Sequence, residues 1–435
     1  MKNWKTCLGG EKTATALVGV LAVLSLALGT ASATPPAPPQ RRASPFEKGA
    51  TRLMDHPAPE RLPSETNSPT LARLARTWAS LSPEMTLCAT KRSNHTVNIA
   101  IHRIHPAPDR PVLVFVHGLL SDHTTWEYVA AELARDYELW LVDLPGCGDS
   151  DAPKPSRLES DGYSPTAMGD RVWQALQQCL SATTPSRPIS LVGHSLGGMV
   201  VLRMMSAPEL RARYASLVQQ VERVVLVAPC DFAVNAIPPQ FGDLLGLKGW
   251  MVGLGQALGA VEPKVRTLTQ VNYNVDGTGT IEQQRRFEHA LVTGPHREAA
   301  KAMLLQAVPF GLKTRRPLWP QIASLVADYA NISTPVLIVY GIWDETLSAA
   351  MGNKLKDEIP GAVLVKVPER GHSLPTEDPM VCAKLIQRFQ QGRTPAELAA
   401  GFDMDVFPAT SVLRSISLPT PTVAPDPKPT TLSSP

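Results

Sequence analysis

The sequence predicts an α/β architecture, a mostly parallel central sheet flanked by helices. Three observations predict it. From about Thr96 onward, short apolar runs alternate with amphipathic helical stretches, the rhythm of repeated βαβ units. One of those runs passes through a glycine-rich turn, Gly193 to Gly198, straight into a helix. The chain is also 435 residues long with 43% apolar residues, enough to bury a sizeable core.

Taken in order, Val112 to Val116 reads as a buried strand, followed by a helix around Thr125 to Tyr137. Leu139 to Val142 is the next strand and ends in the turn Asp143-Leu144-Pro145-Gly146. Ser164 then caps a helix with Pro165 at its first position, and Met168, Val172, Leu176 and Cys179 form its apolar stripe. Ile189 to Val192 is a third strand, with a helix from Leu196 to about Met205. Val224 to Val227, Val336 to Tyr340 and Val363 to Val367 follow as strands, and Pro379 to Gln390 as the closing helix. Residues from about 231 to 332 break this beat. Their Leu244 to Val261 and Ile281 to Leu291 stretches read as a helical cap inserted before the last two core strands, with an apolar pocket lined partly from Phe232 to Val261.

The ends have a different character. Residues 1–33 read as a secretory signal: Lys2, Lys5 and Lys12, an apolar run from Ala14 to Gly29, then Ala31-Ser32-Ala33 as a cleavage pattern. The run is shorter than the ~20 residues a spanning helix needs, so export is expected, secreted or periplasmic, with no permanent membrane anchor. Residues 34–94 read as a Pro-rich linker and extension with one short helix, where Leu71, Leu74, Trp78 and Leu81 share a face. The main domain is expected over 95–392, and 393–435 as a Pro-rich tail. A net charge of +3 with interspersed signs gives no basis for a nucleic-acid partner. Loss of the signal removes Cys7 and leaves Cys88, Cys147, Cys179, Cys230 and Cys382, an odd set whose pairing the sequence does not assign.

The chemistry centres on Gly193-His194-Ser195-Leu196-Gly197, between a strand and a helix. Glycines two residues either side permit the sharp turn that lifts the Ser195 hydroxyl above the sheet. A serine hydroxyl needs a base to become a nucleophile. His372, in a loop after the sixth strand, is positioned at the same sheet edge, and it must be neutral to act, so activity should rise with pH. Asp344 follows the fifth strand and would orient it, with Asp231 as the reserve acid. The backbone N–H groups of Leu119 and Leu196 would form an oxyanion hole.

The series His117-Gly118, Asp143 to Ser150, Gly193 to Gly198, Asp344 and Gly371-His372 resembles the α/β-hydrolase superfamily over about Thr96 to Gly392. The resemblance implies an acyl-enzyme mechanism on a small-molecule ester or acyl substrate, as in esterases and lipases. Proline-type aminopeptidases, C–C bond hydrolases and cofactor-free haloperoxidases share the layout, and a non-catalytic binding protein on the same fold is the alternative of another class. His117 and His194 read as structural histidines, and Asp143 and Asp149 as organisers of their turn. His102 and His105 face opposite sides of a strand and cannot share a metal; no H-E-x-x-H or Walker A pattern occurs, so neither metal nor cofactor is implied. The sequence sets no oligomeric state.

Overall fold

The computed structural model describes residues 68–104, 110–181, 187–232, 246–261, 265, 278–311, 316–402 and 404–408. The expected signal segment, most of the linker and the last part of the tail lie outside the described residues. Nine strands form one sheet: β1 Glu84–Arg92, β2 His95–Ile104, β3 Val112–Val116, β4 Glu138–Val142, β5 Ile189–His194, β6 Val221–Val227, β7 Val336–Gly341, β8 Val363–Val367 and β9 Asp405–Phe407. Their order across the sheet is β1-β2-β4-β3-β5-β6-β7-β8-β9. The six strands β4, β3, β5, β6, β7 and β8 run parallel, while β2 joins β4, and β9 joins β8, antiparallel.

β3, whose two faces are both covered, is apolar along its whole length. Val112, Val114 and Val116 of β3 face one core, shared with helices α3 (Pro165–Ser181) and α4 (Leu196–Ser206). Leu113 and Phe115 face the other, with α2 (Glu127–Leu133) and the closing helix Pro379–Gln390. The period of two thus sorts one strand's residues between two separate cores. All four residues of the expected α3 stripe, Met168, Val172, Leu176 and Cys179, are buried. Between β6 and β7 lie α5 (Gly249–Ala257), α6 (Thr278–Val292), α7 (Gly294–Gln306) and α8 (Trp319–Ala327). Phe287, Leu291 and Ala300 of this cap pack on Leu120, from the segment after β3, in a third cluster.

The ordered domain extends past both expected boundaries. In the stretch expected as linker, α1 (Pro69–Ser80) begins at a Ser68 cap and packs Leu71 and Leu74 on Tyr128 and Ala131 of α2. β1 pairs with β2 over nine residues of register, from Glu84↔Arg103 to Arg92↔His95. In the expected tail, Thr394 and Glu397 form a capping box on a short helix, and β9 adds a last antiparallel strand. The helix α1 is the one expected there from its apolar face, whereas β1 and β9 elude periodicity because they are half-exposed: β1 alternates too weakly, and β9 is only three residues long. No helix among the described residues is long and apolar enough to cross a membrane.

One buried charge fixes the rim opposite the site. Glu138, fully buried at the start of β4, accepts from Trp140 Nε1 at 2.7 Å. It also pairs with Arg103 at 2.8 Å and with the buried Arg187 at 2.7 Å. Removing one partner of a buried pair leaves the other charge uncompensated. Glu138→Ala is therefore expected to destabilise the fold by about 3–5 kcal/mol, read as a lowered urea midpoint with unchanged slope.

Candidate active site

The parallel strands all end at one rim, and the strand order reverses beside β3, which lies between β4 and β5. Open α/β sheets bind ligands at such a point. Segments after β3, β5, β7 and β8 meet there.

The turn after β5 holds Ser195 at φ 53° and ψ −119°, a left-handed conformation uncommon for a residue with a side chain. Such backbone costs on the order of 1–3 kcal/mol and persists only where the surroundings enforce it. The enforcement is visible. Ser195 N–H donates to Val227 O at 3.0 Å, and Ser195 O accepts from Cys230 N–H at 2.9 Å, so the end of β6 and the segment after it grip the residue on both sides. The glycines around it have no room for a side chain. A Cβ on Gly197 would lie 2.3 Å from His117 O, and one on Gly193 2.7 Å from Gly197 O.

The structure brings Ser195, His372 and Asp344 together. His372 Nε2 lies 2.9 Å from Ser195 Oγ, and His372 Nδ1 lies 2.8 Å from Asp344 Oδ2. Asp344 is held in turn: its Oδ1 accepts the N–H groups of Thr346 at 2.9 Å and Leu347 at 2.7 Å. With Oδ2 accepting the Nδ1 proton, Nε2 carries the lone pair that faces the hydroxyl. Asp231, the reserve acid, is directed elsewhere: its buried carboxylate accepts from Tyr329 Oη at 2.8 Å. Leu119 and Leu196 both border the cavity beside Ser195. Leu196 N–H opens helix α4, and among the described residues neither its N–H nor that of Leu119 has a hydrogen-bond partner.

Two histidines brace these segments. His117 Nδ1–H donates to Gly118 O at 2.8 Å while its Nε2 accepts Leu144 N–H at 3.1 Å, tying the segment after β3 to the turn after β4. His194 Nε2–H donates to His372 O at 3.0 Å. Burial, helped by the nearby His372, pushes the His194 imidazole down to about 3, so it stays neutral at any working pH. Asp143 organises its turn as expected from its position, accepting the N–H groups of His123 at 2.7 Å and Asp149 at 2.9 Å.

Asp143, Asp149, His102 and His123 also bring four metal-capable atoms within 4.8 Å of one another. The rings of His102 and His123 are stacked, with centroids 3.6 Å apart at 24°, and a nitrogen of each is turned to Asp143 Oδ2. Their bonds to Asp143, at 3.1 Å from His102 and 3.0 Å from His123, account for the cluster. His105 lies outside the described residues.

Sequence reasoning missed Glu377. Its buried carboxylate accepts Gly371 N–H at 2.6 Å through one oxygen and Ser373 N–H at 2.8 Å through the other, clasping the backbone on both sides of His372. A charged residue at the start of a helix looks like surface in sequence; only the loop packing buries it. The cap reaches the same loop, since Gln283 Nε2 of α6 donates to Ser373 Oγ at 2.8 Å. The cavity over Ser195, about 80 Å³, is walled by Leu119, Phe287, Met303, Leu304, Ala307 and Leu347. Among the described residues of the Phe232 to Val261 stretch, expected to line it in part, none borders the cavity; Leu247 and Val261 pack instead against the cluster of Leu120, Phe287 and Leu291. Residues 233–245 lie outside the described residues.

A sheet of this order, with a strained serine turn at its reversal point and a histidine and an acid brought to it from later strands, defines the class as a hydrolase fold. The chain belongs to the alpha/beta hydrolase family, whose model matches residues 113–385. It is 26% identical over 263 residues to a pimeloyl-[acyl-carrier protein] methyl ester esterase of Pectobacterium atrosepticum, covering 60% of this chain and 87% of that one. A protein of the same name from Nitrosomonas europaea is 28% identical over 289 residues, covering 63% and 93%. Among solved structures, a putative lipase from Acinetobacter baumannii matches with a TM-score of 0.52 at 18% identity, over 76% of this chain and 98% of that one. An esterase from a Rhodococcus species gives 0.52 at 19%, over 72% and 100%. At these identities the structures establish the fold alone.

Burial, offset by the two backbone N–H groups it accepts, raises Glu377 from the ordinary 4.5 to about 8. In the unfolded chain the group ionises near its ordinary value; in the fold it keeps its proton until about pH 8. Between these values the folded state binds more protons than the unfolded one, so stability falls as pH rises across that window. Urea midpoints measured from pH 5 to about pH 8 are expected to decline, and Glu377→Gln, which has no proton to lose, is expected to flatten that slope.

Proposed function

We propose that this protein is an exported serine hydrolase that cleaves carboxylic esters through an acyl-enzyme on Ser195. The observation that carries the reading is the continuous relay from Ser195 Oγ through both nitrogens of His372 to Asp344, with spacings of 2.9 and 2.8 Å. The hydroxyl attacks the ester carbonyl as His372 Nε2 takes its proton, and Asp344 stabilises the imidazolium that results. Negative charge develops on the carbonyl oxygen, between the N–H groups of Leu119 and Leu196, neither partnered among the described residues, the latter at the positive end of α4. His372 then delivers its proton to the departing alcohol. A water, activated by the same imidazole, releases the acid and restores Ser195.

Two features favour an ester over the other substrates of this layout. The cavity wall is apolar and small, suited to a short acyl or alkyl group, with Arg286 the charged side chain at its edge. Arg286 is turned to Thr124 O at 3.3 Å. The relatives at 26% and 28% identity are named as methyl ester esterases. Export rests on the basic start, the apolar run Ala14 to Gly29 and the Ala31-Ser32-Ala33 pattern that follows.

A series of p-nitrophenyl esters tests the reading. Wild type should hydrolyse the short-chain members fastest, while Ser195→Ala loses about 10⁴-fold or more in kcat with its melting temperature nearly unchanged. Asp344→Asn should cost about 10³–10⁴-fold in kcat because it supplies the wrong imidazole tautomer. Full ester turnover by Ser195→Ala would sink the nucleophile assignment. Recovery of the chain from the cell with Met1 to Ala33 still attached would sink export.

A further inference from the structure

Five cysteines are described, and all are free thiols. Two of them meet. Cys88 Sγ of β1 lies 3.4 Å from Cys179 Sγ of α3, 91 residues on, and both side chains are buried, at 2% and 5% exposure. Cys147, Cys230 and Cys382 have no sulfur facing them among the described residues.

The surroundings hold the two sulfurs in register. β1 is an edge strand, paired among the described strands with β2. Its other support comes from α3, whose side chains reach its backbone at helical spacing. Arg171 Nη1 donates to Thr90 O at 3.1 Å, Gln174 Oε1 accepts Lys91 N–H at 2.7 Å, and Gln178 Nε2 donates to Ala89 O at 2.9 Å. Cys179 is the next residue along that helix, and Cys88 the next residue along that strand. Strand and helix are therefore already docked where the sulfurs face one another. From 3.4 Å, the ~2.05 Å of a disulfide is reached when the sulfurs approach by little more than an ångström.

We propose that Cys88 and Cys179 are an oxidative modification site, forming a disulfide that fastens the edge strand β1 to helix α3. The oxidant is a disulfide of low molecular weight or on a thiol-exchange protein. The Cys88 thiolate attacks one of its sulfurs, making a mixed disulfide and releasing one oxidant thiol. The Cys179 thiolate then attacks the Cys88 sulfur and expels the second. The two cysteines lose two protons and two electrons, and the oxidant's S–S bond becomes two thiols. Hydrogen bonding from Cys179 favours the Cys88 thiolate, which suits it to the attacking role. Access comes when the edge strand opens, which costs less than global unfolding. A bond closing so long a loop restricts the unfolded chain strongly.

The test uses the purified full chain, reduced, desalted and incubated with oxidised glutathione, then alkylated and digested. The expected result is a linked peptide pair containing Cys88 and Cys179, with the intact mass lower by about 2 Da and Cys147, Cys230 and Cys382 still alkylated. The melting temperature should fall by roughly 5–10 °C when dithiothreitol is added. Cys88→Ser and Cys179→Ser should each abolish that dithiothreitol-dependent fall. Peptide mapping of the wild type needs neither variant to fold. A pair linked through any other cysteine, a mixed glutathione disulfide that never closes, or an unchanged thiol count would overturn the proposal.

Discussion

The site depends on the conformation of one residue. Ser195 has a positive φ, which a serine does not adopt for its own benefit, and the rest of the rim keeps it there. Val227 at the end of β6 and Cys230 just beyond it clamp it, while Gly197 lets α4 start against the carbonyl of His117. The strain has a structural return. It sets the hydroxyl 2.9 Å from His372 Nε2, with Leu196, the first residue of α4, bordering the same cavity. The proposed reaction needs both, because the attacking oxygen and the oxyanion donor must lie on the same side of one carbonyl.

The imidazole is held just as firmly, by backbone contacts as much as by side chains. Asp344 fixes its ring from one side, His194 fixes its carbonyl, and Glu377 secures the amides before and after it. In the proposed reaction, an imidazole held from three directions loses little freedom when it moves a proton, the kind of preorganisation on which catalysis by positioned groups rests.

Much of this was legible in the sequence. The inner strands announce themselves as unbroken apolar runs, since burial on both faces leaves a strand no polar alternation to show. Ser195, Asp344 and His372 were legible because each follows such a run, and the parallel order sends the segments after those runs to one rim. Edge elements were harder to read. β1 exposes Met85 and Leu87, at 52% each, so its apolar residues carry no clear inward face. Glu377 resembles any solvated helix-start acid, and His102 with His123 gains meaning only once Asp143 lies between them. The cavity walls fall to α6 and α7 for a similar reason. The glycine-rich stretch before them is equally apolar, and hydropathy does not say which apolar helix lies inside.

Helix α6 serves two structures at once. Phe287 forms part of the cavity wall, and one turn earlier Gln283 is bonded to Ser373, the neighbour of the base. Choice of guest and aim of the imidazole are thereby mechanically joined. In the proposed reaction, grafting a different lid onto this scaffold to admit a bulkier acyl group would also disturb the Gln283 bond beside His372, so new selectivity would come with altered turnover unless that glutamine tether were rebuilt.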